Sequence, residues 1–285
     1  MRRDIPDFLV KSVQDQERLG EEGVRRLLDA GRAWNLAPVL AAGGALIFPH
    51  TSIAACGHQV AAAVHACLDS GARRVLAIGV LHALTQELEE ARVAVANGAD
   101  PSTQPAWGIQ GPGLPGREDW RAEFSLSHFQ FLWKQEIARR GISGPELILR
   151  YPYLAGGHPE RLPGIAELQE IARDAVVVAT MDLFHHGIGY GDPPEQALAP
   201  TEGGLELARQ AITDGLTLQQ AGEYWRYNQH CVHTRSDGRD VGQVLRYLLG
   251  PQEGQILDLI ADDMSLAHHK PPPTWVAGAL ITLQG

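Results

Sequence analysis

Apolar and polar positions fall into two rhythms along this chain. Residues 11–33 are rich in charge, with Leu19, Val24, Leu27 and Leu28 on one face, which predicts an amphipathic N-terminal helix. Short apolar runs at 44–49, 73–80 and 175–181 contain almost no polar residue and predict buried strands. Further strands are predicted at 91–97, 146–152, 256–263 and 274–283. Helices are predicted at 55–69, 125–140, 164–173, 200–213, 217–229 and 239–249. The 55–69 segment is small and apolar nearly all round, as in a buried helix. Between them, residues 100–118 are rich in Pro and Gly, and a loop of that length suggests a lid, a substrate wall or a mobile segment. Strands alternating with helices predict an α/β fold, a single-domain α/β/α sandwich around a mixed, mostly parallel sheet. No break in composition divides residues 1–285 into two domains.

Composition narrows the class of protein. The chain has 285 residues, 44% of them hydrophobic, and a net charge of −10. With no dense Lys/Arg run, nucleic acid and anionic membrane surfaces are disfavoured as partners. No apolar stretch reaches the roughly 18–20 residues of a spanning helix. The opening Met1-Arg2-Arg3-Asp4-Ile5-Pro6 lacks the apolar core and cleavage site of a signal peptide. Three cysteines, Cys56, Cys67 and Cys231, are odd in number and suit a reducing cytoplasm. The expectation is a cytoplasmic enzyme acting on a small molecule, with a homo-oligomer left open.

The chemistry gathers where the apolar runs end. One run passes through Ile47 and Phe48 to His50, a second through Ile78 and Val80 to His82, and a third through Thr180 to Asp182, with His185 and His186 following on an expected loop. Open α/β sheets collect ligand-binding groups outside the carboxyl ends of their strands. A lone histidine there is usually a satisfied core or surface group; three at the same topological position point to one shared site. His50 and His82 are the leading metal-ligand candidates, since neutral imidazole is the commonest protein ligand. Asp237 precedes the helix 239–249, where an N-cap is the plain alternative. Joined to the two histidines it makes a two-His, one-carboxylate set of the kind that holds non-haem Fe(II) with positions open. His230, Cys231 and His233 compete for the third ligand position. His185 is the candidate acid–base group. Asp182, His128, His186 and His233 are the candidates for contacting substrate.

The stretch Pro49-His50-Thr51-Ser52-Ile53-Ala54-Ala55-Cys56-Gly57 resembles the "PHAGYxYSG" motif of the Memo-like family. Gly79-Val80-Leu81-His82 resembles its "GPSHH" strand end, and Thr180-Met181-Asp182-Leu183-Phe184-His185-His186-Gly187 its "SSDFCHWG". Glu123-Phe124-Ser125-Leu126 is similar to the start of "EHSIE", Gly238-Arg239 to part of "CGRxP", and Trp275-Val276-Ala277-Gly278-Ala279-Leu280 to the closing "SYAAGAL". The matches keep their order over about residues 44–283. The family shares its fold with the class III extradiol (LigB-type) ring-cleavage dioxygenases, in which two His and one carboxylate hold Fe(II) and a further His moves protons.

By that resemblance His50 and His82 are metal ligands and His185 is the acid–base histidine. The family's cysteine before "GR" is Asp237 here; thiolate favours copper or zinc, whereas a carboxylate restores a dioxygenase-like set. Other departures are Ile53 for the tyrosine of "PHAGY", Phe124 for the histidine of "EHS" with His128 one helical turn later, and a divergent N-terminal helix at 1–43 in place of "AGxWYP". The resemblance implies a mononuclear Fe(II)-dependent dioxygenase taking O₂ and a chelating, catechol-like or heteroaromatic substrate. The alternatives are a metal-assisted hydrolase or lyase, and a metal- or protein-binding module without turnover.

Overall fold

The apolar runs lie side by side at the centre of a single eight-stranded sheet. A computed structural model describes residues 6–285; Met1 to Ile5 of the N-terminal reading lie outside the described residues. The chain opens with α1 (Pro6–Gly31), bent at Gly20, and α2 (Ala37–Ala41). Then come β1 (Ala45–Phe48), α3 (Ile53–Asp69), β2 (Arg74–Ile78), α4 (Gln86–Ala96) and β3 (Gly108–Gln110). Next are α5 (Ser127–Arg140), β4 (Glu146–Tyr153), α6 (Ile165–Asp174), β5 (Val176–Thr180) and β6 (Phe184–Gly187). The last third holds α7 (Gly204–Gln220), α8 (Tyr224–His233), α9 (Arg239–Leu249), β7 (Glu253–Asp263), α10 (Ser265–His268) and β8 (Thr274–Gln284).

The strand order is β3-β4-β2-β5-β1-β8-β6, with β7 pairing along the other side of β8. Strands β4, β2, β5 and β1 are parallel, and β3, β6, β7 and β8 join antiparallel, so the sheet is mixed with a parallel centre. In β1 the strand period sends Leu46 and Phe48 to the face covered by α1, α3 and α5, and Ala45 and Ile47 to the face covered by α6, α7 and α9. Both faces are thus buried, which is why these strands read as unbroken apolar runs. The expected α/β sandwich is the observed fold. Among the described residues no helix is long and apolar enough to cross a membrane.

Four local expectations are corrected. Residues 91–97 are not a strand but the end of α4. Thr85 caps that helix by accepting from Leu88 N at 3.3 Å, and Leu88, Ala91 and Val95 bury at helical spacing while Val93 stays exposed. The Ala91/Val93/Val95 alternation is therefore incidental to a 3.6-residue repeat. His185 and His186 are not in a loop but in β6, paired with Val276 and Trp275. The break expected between 213 and 217 falls instead at 221–223, where Gly222 adopts φ +69, a left-handed value that a side chain would disfavour. The Pro/Gly-rich segment 100–118 is not featureless: β3 pairs antiparallel with β4, and Arg117 ties the segment to Glu87 and Asp119.

The helical face of α1, α3 and α5 is pinned by one buried carboxylate. Glu136, with a fully buried side chain, accepts from Arg32 at 2.9 Å, Arg139 at 2.6 Å and Arg140 at 2.7 Å, and His65 Nδ1 lies 3.4 Å away. His65 in turn bonds the Leu28 carbonyl at 2.7 Å, joining α3 to α1. Burial would raise the Glu136 pKa, but the arginines prevail and hold it below the ordinary carboxylate value. A depressed native pKa contributes stability that is complete above the unfolded value and is lost as pH falls through the native one. Glu136→Ala removes the buried acceptor shared by Arg32, Arg139 and Arg140, while Arg139 keeps Asp29 and Arg140 keeps Asp69, and is expected to cost about 1–3 kcal/mol in denaturant unfolding at neutral pH. The gap to wild type should narrow below pH 4.5, the ordinary carboxyl value. A gap independent of pH would assign the loss to packing.

Candidate metal centre

The sheet order puts β5 between β2 and β1, all three parallel, so their carboxyl ends open on one edge. His82 follows β2, Asp182 follows β5 and His50 follows β1. Asp237 arrives from the turn before α9. Its backbone N donates to Asp182 O at 3.2 Å, and its Oδ1 accepts from Asp182 N at 2.8 Å. Asp237 is therefore not the cap of α9, whose N-cap residue is Gly238 with no side-chain cap bond. Gly238 is required by close approach: a Cβ there would meet the Met181 sulfur at 2.5 Å.

This double bond to β5 aims the second carboxylate oxygen at the histidines. Asp237 Oδ2 lies 3.1 Å from His50 Nε2 and 3.6 Å from His82 Nε2. Donor atoms of His50, His82 and Asp237 all lie within 4.8 Å of one another. Despite the 3.1 Å separation, neither His50 Nε2 nor Asp237 Oδ2 makes a hydrogen bond of acceptable angle, and both atoms are buried. Buried polar atoms left unpaired are costly, and two of them turned toward one space fit a shared cation. The donor chemistry, two nitrogens and one oxygen, suits a first-row divalent ion.

The outer atoms of each ring are fixed by the protein. His50 Nδ1 is hydrogen-bonded to Thr180 Oγ1 at 2.9 Å, and His50 N donates to Asp182 Oδ1 at 3.1 Å. Glu123 clamps His82 twice, taking Nδ1 at 2.9 Å and the backbone N at 2.6 Å, and also accepts from the N–H groups of Phe124 and Ser125. Phe124 stacks on the His82 ring, 4.5 Å between centroids, and meets His50 edge-on. Against the opposing effect of burial, Glu123 and Asp237 hold the His82 imidazole up to about 10. His82 is 20% exposed at its side chain, compared with 2% for His50 and 8% for Asp237, so solvent reaches the cluster past His82.

His185 stands next to this set. It belongs with Asp182 and Asp237 to a second group of donor atoms within 4.8 Å of one another, and its Nδ1 is buried without a hydrogen-bond partner. Burial pushes its pKa down to about 4, with His50, His82 and His268 adding to the effect and Asp237 opposing it. Asp182 is pushed up to about 6 by burial and by Asp237, against the pull of His50. Tyr190 packs edge-on to His185 at 4.9 Å between centroids, and its hydroxyl bonds His268 at 3.0 Å.

The remaining expected contacts are dispersed. His186 turns to the other side of β6: its Nδ1 lies 2.9 Å from Asp192, its Nε2 accepts from Leu198 N at 3.0 Å, and its ring stacks on Phe184. With both nitrogens engaged it has none left for substrate. His233 is exposed at the end of α8 and joins no donor set among the described residues. His230 bonds the Ala211 carbonyl at 2.8 Å, and burial pushes the Cys231 thiol up to about 12, so neither replaces Asp237. His128 is buried, its Nδ1 met by Gln16 at 3.1 Å and Ser12 at 3.4 Å on α1.

Two residues of consequence escape the sequence reading. Thr180 is visible there only as a strand residue and the first letter of a motif. Glu123 is visible only as the first letter of a motif, although an acid opening a segment that returns to a histidine strand end is the usual partner of a ligand imidazole. No protein-family model and no curated protein matches this chain, so the functional reading rests on the geometry and motifs above.

Second-sphere carboxylates typically contribute ten- to a hundredfold to metal affinity. Glu123→Gln is expected to weaken divalent-metal binding by about that factor in calorimetric titration while the fold is retained. Unchanged affinity would show that Glu123 serves the 123–125 turn and not the ligand.

Proposed function

We propose that this chain is a mononuclear non-haem Fe(II)-dependent dioxygenase of the class III extradiol type. Its substrates would be O₂ and a small metal-chelating molecule, catechol-like or heteroaromatic. One observation carries the reading: the buried His50 Nε2 and Asp237 Oδ2 face each other at 3.1 Å without a well-aligned hydrogen bond, beside His82 Nε2. The ordered Memo-like motifs at 49–57, 79–82, 180–187 and 238–239 favour the same scaffold. Fe(II) held by His50, His82 and Asp237 would offer open positions to substrate and O₂ and carry electrons between them.

The chain's own groups do the rest. Thr180 and Glu123 hold the Nδ1 atoms of His50 and His82, which would leave each Nε2 free to ligate a cation. His185, neutral through burial, takes a proton from a substrate hydroxyl at Nδ1 and returns it to the product, a role commonly worth ~10²–10⁴-fold in rate. Asp182 Oδ2, 3.8 Å from His50 Nε2, is positioned to accept a substrate hydrogen bond. The Phe124 ring stacks on His82 and lines the cluster with an apolar surface. Entry runs past His82.

Anaerobic loading with Fe(II), followed by oxygen uptake over a panel of catechols and hydroxylated heteroaromatics, tests this function. Expected are one iron per chain and uptake with at least one chelating substrate, with His185→Ala keeping its iron and losing ~10²–10⁴-fold of the uptake. Preferential retention of zinc with hydrolytic turnover would favour the metal-assisted hydrolase. Bound iron with no uptake across the panel would contradict the oxygenase.

A further inference from the structure

A second set of donors stands against the first. Asp182, His185 and Asp237 offer atoms within 4.8 Å of one another, just as His50, His82 and Asp237 do, and Asp237 belongs to both sets. His185 Nδ1 is buried and has no hydrogen-bond partner. Its backbone is fixed, with N donating to Thr234 O at 3.1 Å and β6 pairing it with Val276, and Tyr190 packs against the ring. The Asp182 side chain is 5% exposed, and its Oδ1 already accepts from His50 N, which leaves Oδ2 as the atom nearer the donors. An imidazole and two carboxylates at this spacing are a ligand set for a first-row divalent cation.

We infer that Asp182, His185 and Asp237 form a second, inhibitory site for a divalent cation, bridged to the first through Asp237. The inference rests on the reading of His50, His82 and Asp237 as the primary centre. The second ion binds more weakly for an electrostatic reason. The first cation already draws on the charge of Asp237, so the second meets only one new carboxylate and the repulsion of its neighbour. Occupancy removes the His185 nitrogen from proton transfer and Asp182 from substrate contact. Excess metal therefore silences the site that one equivalent activates.

The test uses the full chain, stripped of metal and titrated with Mn²⁺ alone, with stoichiometry from equilibrium dialysis and coupling from electron paramagnetic resonance. Wild type is expected to take up two equivalents, the second at least about tenfold more weakly by that repulsion. Arrival of the second should replace the six-line signal of isolated Mn²⁺ with a spin-coupled spectrum, because the two ions share one carboxylate. His185→Ala and Asp182→Asn should each stop at one equivalent and keep the six-line signal, and His82→Ala should lose the tighter equivalent. One equivalent at saturation in wild type, or two in both variants, overturns the second site and leaves the primary centre standing. No bound Mn²⁺ in wild type overturns both.

Discussion

The site depends on the attachment of one turn to one strand end. Asp237 exchanges two hydrogen bonds with the backbone of Asp182, one from its amide and one to its Oδ1, and so fixes the direction of its remaining oxygen. Everything around it serves that attachment. Gly238 lets the turn lie against Met181, and Ser236 accepts from Gly238 N at 3.1 Å to close it. His50 and His82 come to the same place from β1 and β2, the two parallel strands that flank β5. A carboxylate tied in this way has lost its rotamer freedom before any ligand arrives, which is the meaning of a preorganised site.

The electrostatics follow from burial. Four ionisable groups, His50, His82, Asp182 and Asp237, sit in a space where charge is poorly solvated, so each is tolerable only through the others. Glu123 enters the balance from behind His82 and Thr180 from behind His50, each at the ring atom facing away from Asp237. His185 carries no such partner. On the proposed reading, that asymmetry separates the two ligand imidazoles from the one that moves protons.

Much of this is legible in the residues. Strands buried on both faces must be continuous apolar runs, so the ends at His50, His82 and Asp182 can be found without coordinates. Asp237 is harder, because an acid before a helix is more often a cap, and only the contact with Asp182 shows where its oxygens go. The difference between His185 and His186 is hidden because Phe184-His185-His186-Gly187 has no apolar alternation to mark a strand. Once β6 is paired with β8, the period of two sends the neighbours to opposite sides. The helix at 86–96 is misread for the opposite reason, since Ala91, Val93 and Val95 mimic a strand while the cap at Thr85 and the burial of Leu88 decide the matter. Glu123 depends on long-range return of the chain after the 100–118 segment, which no local pattern encodes.

The claim at the centre of this account is that His50, His82 and Asp237 hold one metal ion between them. The most direct measurement is an anomalous-difference map of crystals grown anaerobically with one equivalent of Fe(II), collected at the iron edge. The account expects one dominant peak within coordination distance of His50 Nε2, His82 Nε2 and Asp237 Oδ2. A dominant peak elsewhere in the fold, or iron held by His82 and Glu123 without Asp237, would contradict it.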